Sequence, residues 1–258
     1  MPEFVESKIV VSGNIVEVYE YEKGYGKGYQ GKNPEGRASE ASQEDKEVNR
    51  DKVLSRARKK VRRLINANIG QYGEEFTAKF LTLTFAEHVT DISTANYEFQ
   101  KFIKRLNYEV FGQKIINIRY VGVIEFTKKG RIHYHVVIFN IPYVKAHRIA
   151  EIWGNGFIKV NKIDHVDNVG AYVCKYMTKD NKGLLSKKSY FASQSLFRPI
   201  EITDKKIVEN VQNSLQADRL TFESTFNSDY LGSITYRQYI IGDAENEEKH
   251  AHMSKAAL

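Results

Sequence analysis

Cysteine is almost absent from this chain: Cys174 is the only one among 258 residues, so neither an internal disulfide nor a cysteine metal cluster can form. A reducing cytoplasm is the expected setting. No apolar run approaches the roughly 20 residues needed to cross a bilayer. The opening Met-Pro-Glu-Phe-Val-Glu lacks the pattern of a signal peptide, and no membrane role is expected. Also missing are a Gly-x-x-x-x-Gly-Lys-Ser/Thr loop, a zinc-finger pattern and any internal repeat. These absences exclude phosphate-loop ATP use, finger modules and solenoids. Acidic residues are in deficit, 32 against 39 Lys and Arg, for a net charge of +7 and a pI near 9.2. That balance leans towards a polyanionic partner, although solubility alone also accounts for it. A hydrophobic content of 41% and a charged content of 28% are those of an ordinary soluble protein. The length suits one domain with appendages or two small ones.

What is present is patterned. Residues 1–22 alternate apolar and polar around Ser12-Gly13-Asn14, a hairpin signal. Lys23 to Lys32, with glycine at every second or third position, reads as a flexible linker; Tyr25 and Tyr29 among its lysines also suit single-stranded nucleic acid. Ser42-Gln-Glu-Asp45 resembles a capping box and predicts a helix to about residue 68. Val53, Leu54, Ala57, Val61, Leu64 and Ile65 form its apolar face. The other faces carry eight cations, Arg56, Lys59, Arg62 and Arg63 among them, against Asp51 alone. A charge run is usually a solvated face, but this imbalance equally suits phosphate contact.

Further along, the spacing predicts a strand over 80–85, a helix over 96–112, and strands over 115–126 and 131–139. A helix over 144–153, a strand over 156–163 and a helix over 166–179 follow. This order implies an α+β fold, an antiparallel sheet covered by helices. The expected division is an N-terminal hairpin and linker over 1–40, a core over 41–184, and a C-terminal extension over 185–258. The extension carries a strand over 236–241, a helix near 204–215 and a frayed tail.

His133-Tyr134-His135 is the most informative run. In an extended strand both imidazoles point to one face. If Lys128-Lys129-Gly130 is a three-residue hairpin loop, Thr127 pairs with Arg131 and Glu125 falls opposite His133. One carboxylate and two imidazoles with open positions suit Mg²⁺ or Mn²⁺ as a Lewis acid. The same residues also suit a solvent-facing glutamate beside two satisfied core histidines. On the last helix Tyr172, Lys175, Tyr176 and Lys179 fall on one arc, with Val166, Val173 and Met177 on the neighbouring face. Lysines beside phenols cancel phosphate charge and favour the phenolate, whose unperturbed pKa near 10 is otherwise wrong for attack. Tyrosines packed at a helix edge would look the same locally.

Together, Phe80-Leu-Thr-Leu-Thr-Phe85, Gly130-Arg-Ile-His-Tyr-His-Val136 and Tyr172-Val-Cys-Lys-Tyr-Met-Thr-Lys179 resemble the three ordered motifs of the HUH endonucleases. Within that group the likeness is to rolling-circle replication initiators of small plasmids and phages, of the two-tyrosine type. The resemblance covers residues 80–180; a leading basic helix over 58–68 extends it. It implies a ferredoxin-like or RRM-like sheet bearing the metal on Glu125, His133 and His135. It further implies nicking and rejoining of single-stranded or cruciform origin DNA, through a 5′-phosphotyrosine formed by Tyr176 or Tyr172 with Lys175 and Lys179 assisting. Arg56, Lys59, Arg62, Arg63, Lys128 and Arg131 are then the candidate DNA contacts. A helicase domain is missing, so unwinding and synthesis would come from a helicase and polymerase of a bacterial or archaeal host. Three other readings stand beside it. These are a transposase or mobilisation relaxase on the same core, a non-catalytic RRM-like nucleic-acid binder, and a metal-dependent hydrolase of small molecules. Relaxases usually present a third histidine where this chain has Glu125. An RRM-like binder needs aromatics on the sheet face where His133 and His135 point.

Overall fold

The computed structural model describes residues 4–27, 43–163, 168–177 and 190–242. The elements in chain order are β1 (Phe4–Ser12), β2 (Ile15–Gly26), α1 (Gln43–Asn66), β3 (Lys79–Thr84), α2 (Ile92–Phe111), β4 (Tyr120–Phe126) and β5 (Ile132–Ile138). They continue with α3 (Ala146–Trp153), β6 (Ile158–Lys162), α4 (Val169–Cys174), β7 (Tyr190–Ala192), β8 (Ile200–Ile202), α5 (Lys205–Ser214), β9 (Leu220–Ser228) and β10 (Gly232–Ile240). Two compact units result: Glu44–Phe197, and Met1–Gln43 with Arg198–Leu258. Each holds a five-stranded antiparallel sheet, so the fold is α+β as expected.

In the unit over 44–197 the strand order is β6-β3-β5-β4-β7. Its first four strands, with α2 after β3 and α3 after β5, follow the β-α-β-β-α-β ferredoxin-like order. Strand alternation sorts the side chains between two cores. Leu81, Leu83, Tyr134, Val136 and Ile138 meet Phe102, Leu106 and Trp153 of α2 and α3. Phe80, Val121, Val123 and Val137 meet Val61 and Ile65 of α1 and Val173 of α4. The histidine-bearing face of β5 is thus the face that α1 and α4 share.

Several boundaries depart from the periodicity for identifiable reasons. Helix α2 begins at Ile92 because the Asp91 carboxylate accepts the Thr94 N–H at 2.7 Å, a side-chain N-cap. The strand expected from Ile115 starts only at Tyr120. Buried Asn107 donates to the carbonyls of Gln113 and Ile115 and accepts from the N–H groups of Asn117 and Ile118, holding that segment out of the ladder. Val53 lies exposed, because α1 meets the core only from Leu54 and Ala57 onward. The helix predicted over 166–179 is observed as Val169–Cys174, capped by the Asn168 side chain on the Ala171 N–H. Beyond it the chain tightens into i→i+3 turns, Tyr176 N–H to Val173 O and Met177 N–H to Cys174 O.

In the second unit the strand order is β8-β1-β2-β10-β9. The hairpin read over 1–22 is there, and β10 lies where a strand was expected at 236–241. Helix α5 fills the 204–215 region, with the Asp204 carboxylate capping the Ile207 N–H, and places Val208 against Ile9, Val11 and Val18. The segments flanking the core, read apart in the sequence, pair with each other: β8 on β1, β10 on β2. The start of the glycine-rich stretch is also ordered. Tyr25 pairs with Val5 and stacks edge-on against Tyr21, so 23–26 belong to β2 rather than to a linker. Tyr29, Lys32, the Ser42 cap, Val166, Lys179 and the tail over 243–258 lie outside the described residues.

Candidate active site

The register of the β4–β5 hairpin is the one the loop length predicts: Glu125 pairs with His133, and the Thr127 N–H donates to the Arg131 carbonyl at 2.9 Å. Gly130 takes the left-handed φ of 80°. The closest side-chain contact is diagonal, however. His135 Nε2 lies 2.6 Å from Glu125 Oε2, while His135 Nδ1 faces Thr82 Oγ1 at 3.2 Å. Among the described residues no three His, Cys, Asp or Glu side chains already stand as a metal-holding group. Glu125 and His135 instead hold each other, with His133 beside them.

The charge states follow from competing effects. For Glu125 the hydrogen bond from His135 outweighs desolvation and keeps the carboxyl below its ordinary value, hence ionised near neutrality. For His133 the reverse holds: burial outweighs the attraction of Glu125 and lowers its pKa, hence neutral. An ionised carboxylate and a neutral imidazole, as Glu125 and His133 present them, are donor forms that a divalent cation requires, and His135 adds a second imidazole to the set. Thr82 adds a supporting contact that the sequence pattern did not single out. Its hydroxyl can accept from His135 Nδ1–H or donate to bare Nδ1, so it tolerates either tautomer.

Helix α4 brings the tyrosines to this pair. The Tyr176 ring lies on His135, centroids 3.8 Å apart and planes 20° apart. Tyr172 meets Tyr176 edge-on at 6.2 Å and Phe80 at 5.5 Å. Both tyrosines are half-buried against the sheet. The Lys175 ammonium sits 5.4 Å over the ring of Tyr172, not over Tyr176. Lys179, the other lysine of the arc, lies outside the described residues. Burial first, then a hydrogen bond with Tyr172 and the charges of Tyr172 and Glu125, push the Tyr176 phenol up to about 12.

Helix α4 hangs on α1. The Gly170 N–H donates to Asn66 Oδ1 at 2.8 Å, and Asn66 Nδ2 donates to Asn168 at 2.9 Å. A side chain at Gly170 would collide with the Arg62 backbone, which is why a glycine stands there. Arg58 Nε donates to the Met177 carbonyl at 2.7 Å and ties down the tyrosine turn from the other end. The cationic helix is therefore also the mount of the tyrosines. Of its candidate DNA contacts, Arg56 and Lys59 are exposed, whereas Arg62 and Arg63 are half-buried. Lys128 is exposed on the hairpin loop and Arg131 half-buried beside His133. Replacing Arg56 and Lys59 by glutamine should weaken DNA binding irrespective of sequence. It should also flatten the log–log salt dependence by about 0.7–0.9 for each phosphate no longer neutralised. A salt titration by fluorescence anisotropy measures this, and an unchanged slope returns both residues to plain solvation.

Two residues missed in the sequence share the site's face. Ile158 and Val160 of β6 pack into the α2–α3 core, so Phe157 and Lys159 point the other way. Cross-strand pairing aligns Phe157, Thr84, His133 and Glu125 in one row, and Lys159, Thr82 and His135 in the next. The signal was the alternation Phe-Ile-Lys-Val over 157–160; the partner strand was not legible.

No curated protein and no solved structure matches the chain. Residues 78–181 match the family model of Replication-associated protein ORF2/G2P. That stretch runs from the start of β3 past both tyrosines and includes Glu125, His133 and His135. The part of the chain that carries the candidate site is thus similar to replication-associated proteins, a likeness consistent with a replication initiator.

Proposed function

We propose that this protein initiates replication by nicking and rejoining single-stranded origin DNA through a tyrosine. The observation that carries this reading is the stack of Tyr176 on His135, itself hydrogen-bonded to Glu125. A phenol stands over a carboxylate–imidazole pair, on a rigid sheet, at the place where a phosphodiester would meet both.

In the first step the phenolic oxygen of Tyr176 attacks the scissile phosphorus. The new P–O(tyrosine) bond forms as the P–O3′ bond breaks, the phenol proton is lost, and the released 3′ oxygen takes up a proton. The product is a 5′-phosphotyrosine and a free 3′-hydroxyl that primes a polymerase. Reversal with an incoming 3′-hydroxyl rejoins the strand. One phosphodiester replaces another, so the exchange needs no nucleotide hydrolysis. A phenol held near pKa 12 gives up its proton only when charge accumulates favourably around the phosphate. Mg²⁺ or Mn²⁺ held by Glu125, His133 and His135 would supply that charge as a Lewis acid on the non-bridging oxygens. Lys175, exposed beside Tyr172, adds a cation on the same side. Tyr172, within one turn, serves as second acceptor, so one tyrosine retains the 5′ end while the other cuts at termination. Duplex opening and synthesis fall to a host helicase and polymerase.

The test is a labelled single-stranded hairpin oligonucleotide incubated with Mn²⁺ and resolved on a denaturing gel. A labelled band at the mass of protein plus DNA is expected, together with a shortened product ending in a 3′-hydroxyl. Cleavage without any covalent band would replace the tyrosine mechanism by hydrolysis, and absence of both would overturn the reading.

A further inference from the structure

Phe157 is an exposed phenylalanine, 69% accessible, on a sheet face otherwise occupied by the candidate site. Single exposed apolar residues are common and by themselves mean nothing. Three features set this one apart. It stands in the same cross-strand row as Thr84, His133 and Glu125, two strands from His133, which at about 4.8 Å per strand is roughly 10 Å. Cations lie to either side on the same face: exposed Lys159 two residues on, and Arg131 two residues before His133. Its position is also enforced. Gly156 adopts φ 148°, and any side chain there would collide with the backbone of Thr84 and Ala86. Only glycine lets the start of β6 press against the end of β3 and set Phe157 beside Thr84.

We infer that Phe157 and Lys159 form a subsite for the nucleotide neighbouring the scissile phosphate, Phe157 stacking on its base and Lys159 meeting its phosphate. The inference rests on the reading of single-stranded DNA as substrate and adds to it which side of the site the strand occupies. A phosphate at His133 and Tyr176 leaves the adjoining base over the Thr84–Phe157 row, and a flat apolar ring is what an unpaired base stacks on. Positive charge from Lys159 and Arg131 complements the backbone on both sides of that ring. Stacking tolerates any base, so the subsite contributes affinity and register, not sequence choice.

The experiment uses the full chain in EDTA, where no cleavage interferes, with a fluorescein-labelled dT12 oligonucleotide followed by anisotropy. Phe157→Ala should weaken binding about tenfold, within the range of aromatic–base stacking, and Phe157→Trp should restore it. The native Trp153 is fully buried, so Trp fluorescence of the Phe157→Trp protein should report on the surface ring and fall on addition of unlabelled dT12. Lys159→Gln should reduce the salt slope by about 0.7, the value of one single-strand phosphate. If Phe157→Ala binds within twofold of the unmutated protein and the introduced tryptophan is not quenched, the subsite is overturned while DNA binding stands. Unmutated protein that binds rU12 but not dT12 would overturn the subsite in favour of RNA. Failure to bind either oligonucleotide would remove the subsite together with the substrate reading beneath it.

Discussion

Tyr176→Phe should lower the yield of covalent protein–DNA adduct on a single-stranded origin oligonucleotide by about three orders of magnitude, with the fold unchanged. The substitution keeps the ring that stacks on His135 at 3.8 Å and removes only the attacking oxygen. Tyr172→Phe should act less on the first cleavage and more on strand transfer, because Tyr176 is the ring that stacks on His135. Peptide mapping of the adduct reads the difference. Loss of adduct in Tyr172→Phe but not in Tyr176→Phe would reverse the roles. Full yield from the double variant would end the phosphotyrosine mechanism.

The second large effect is expected at the histidines. His133→Ala and His135→Ala should each abolish Mn²⁺-dependent cleavage, while DNA binding stays within a few-fold because affinity comes from the basic surface. The two differ in what else they disturb. His135 is 3% exposed and holds Glu125, Thr82 and Tyr176 at once, so its removal leaves a void and unpairs a carboxylate. His133 is half-buried, and its loss removes one imidazole with little else. His133→Ala is therefore the cleaner probe of metal holding, and Mn²⁺ titration by electron paramagnetic resonance gives a readout independent of cleavage. Unchanged Mn²⁺ affinity with full nicking in the double variant would remove the metal assignment. Loss of Mn²⁺ binding with cleavage retained would separate the metal from the chemistry.

The two effects have different structural origins. The histidine pair rests on strand geometry, which is local. Side chains two apart share a face, and a three-residue loop decides which residue opposes which, so Glu125 opposite His133 could be read from residues 125–135 alone. The tyrosine pair rests on how α4 docks. Helical spacing puts Tyr172 and Tyr176 one turn apart but says nothing of what they face, and both are half-buried. Val173 and Met177 seat the helix in the core shared with Val121 and Val137, and that seating turns Tyr176 onto His135. The same seating buries the phenol and raises its pKa.

The amino-acid order thus dictated whatever a stretch of some ten residues settles internally. It set the succession of strands and helices over 43–163, the facing of His133 and His135, the hairpin register of Glu125 and the spacing of the tyrosines. Tertiary structure decided the pairings between distant segments. Strand β6 lies beside β3, so Phe157 and Lys159 enter the rows of His133 and His135, and α1 clamps the tyrosine turn through Asn66, Arg58 and the bare backbone of Gly170. It likewise joined β1 to β8 and β2 to β10, strands far apart in the chain. The reason is physical: side-chain alternation and helical pitch act over one or two turns. Which strand edge or helix face is buried against which depends on packing summed over the whole unit, and no local period encodes that sum.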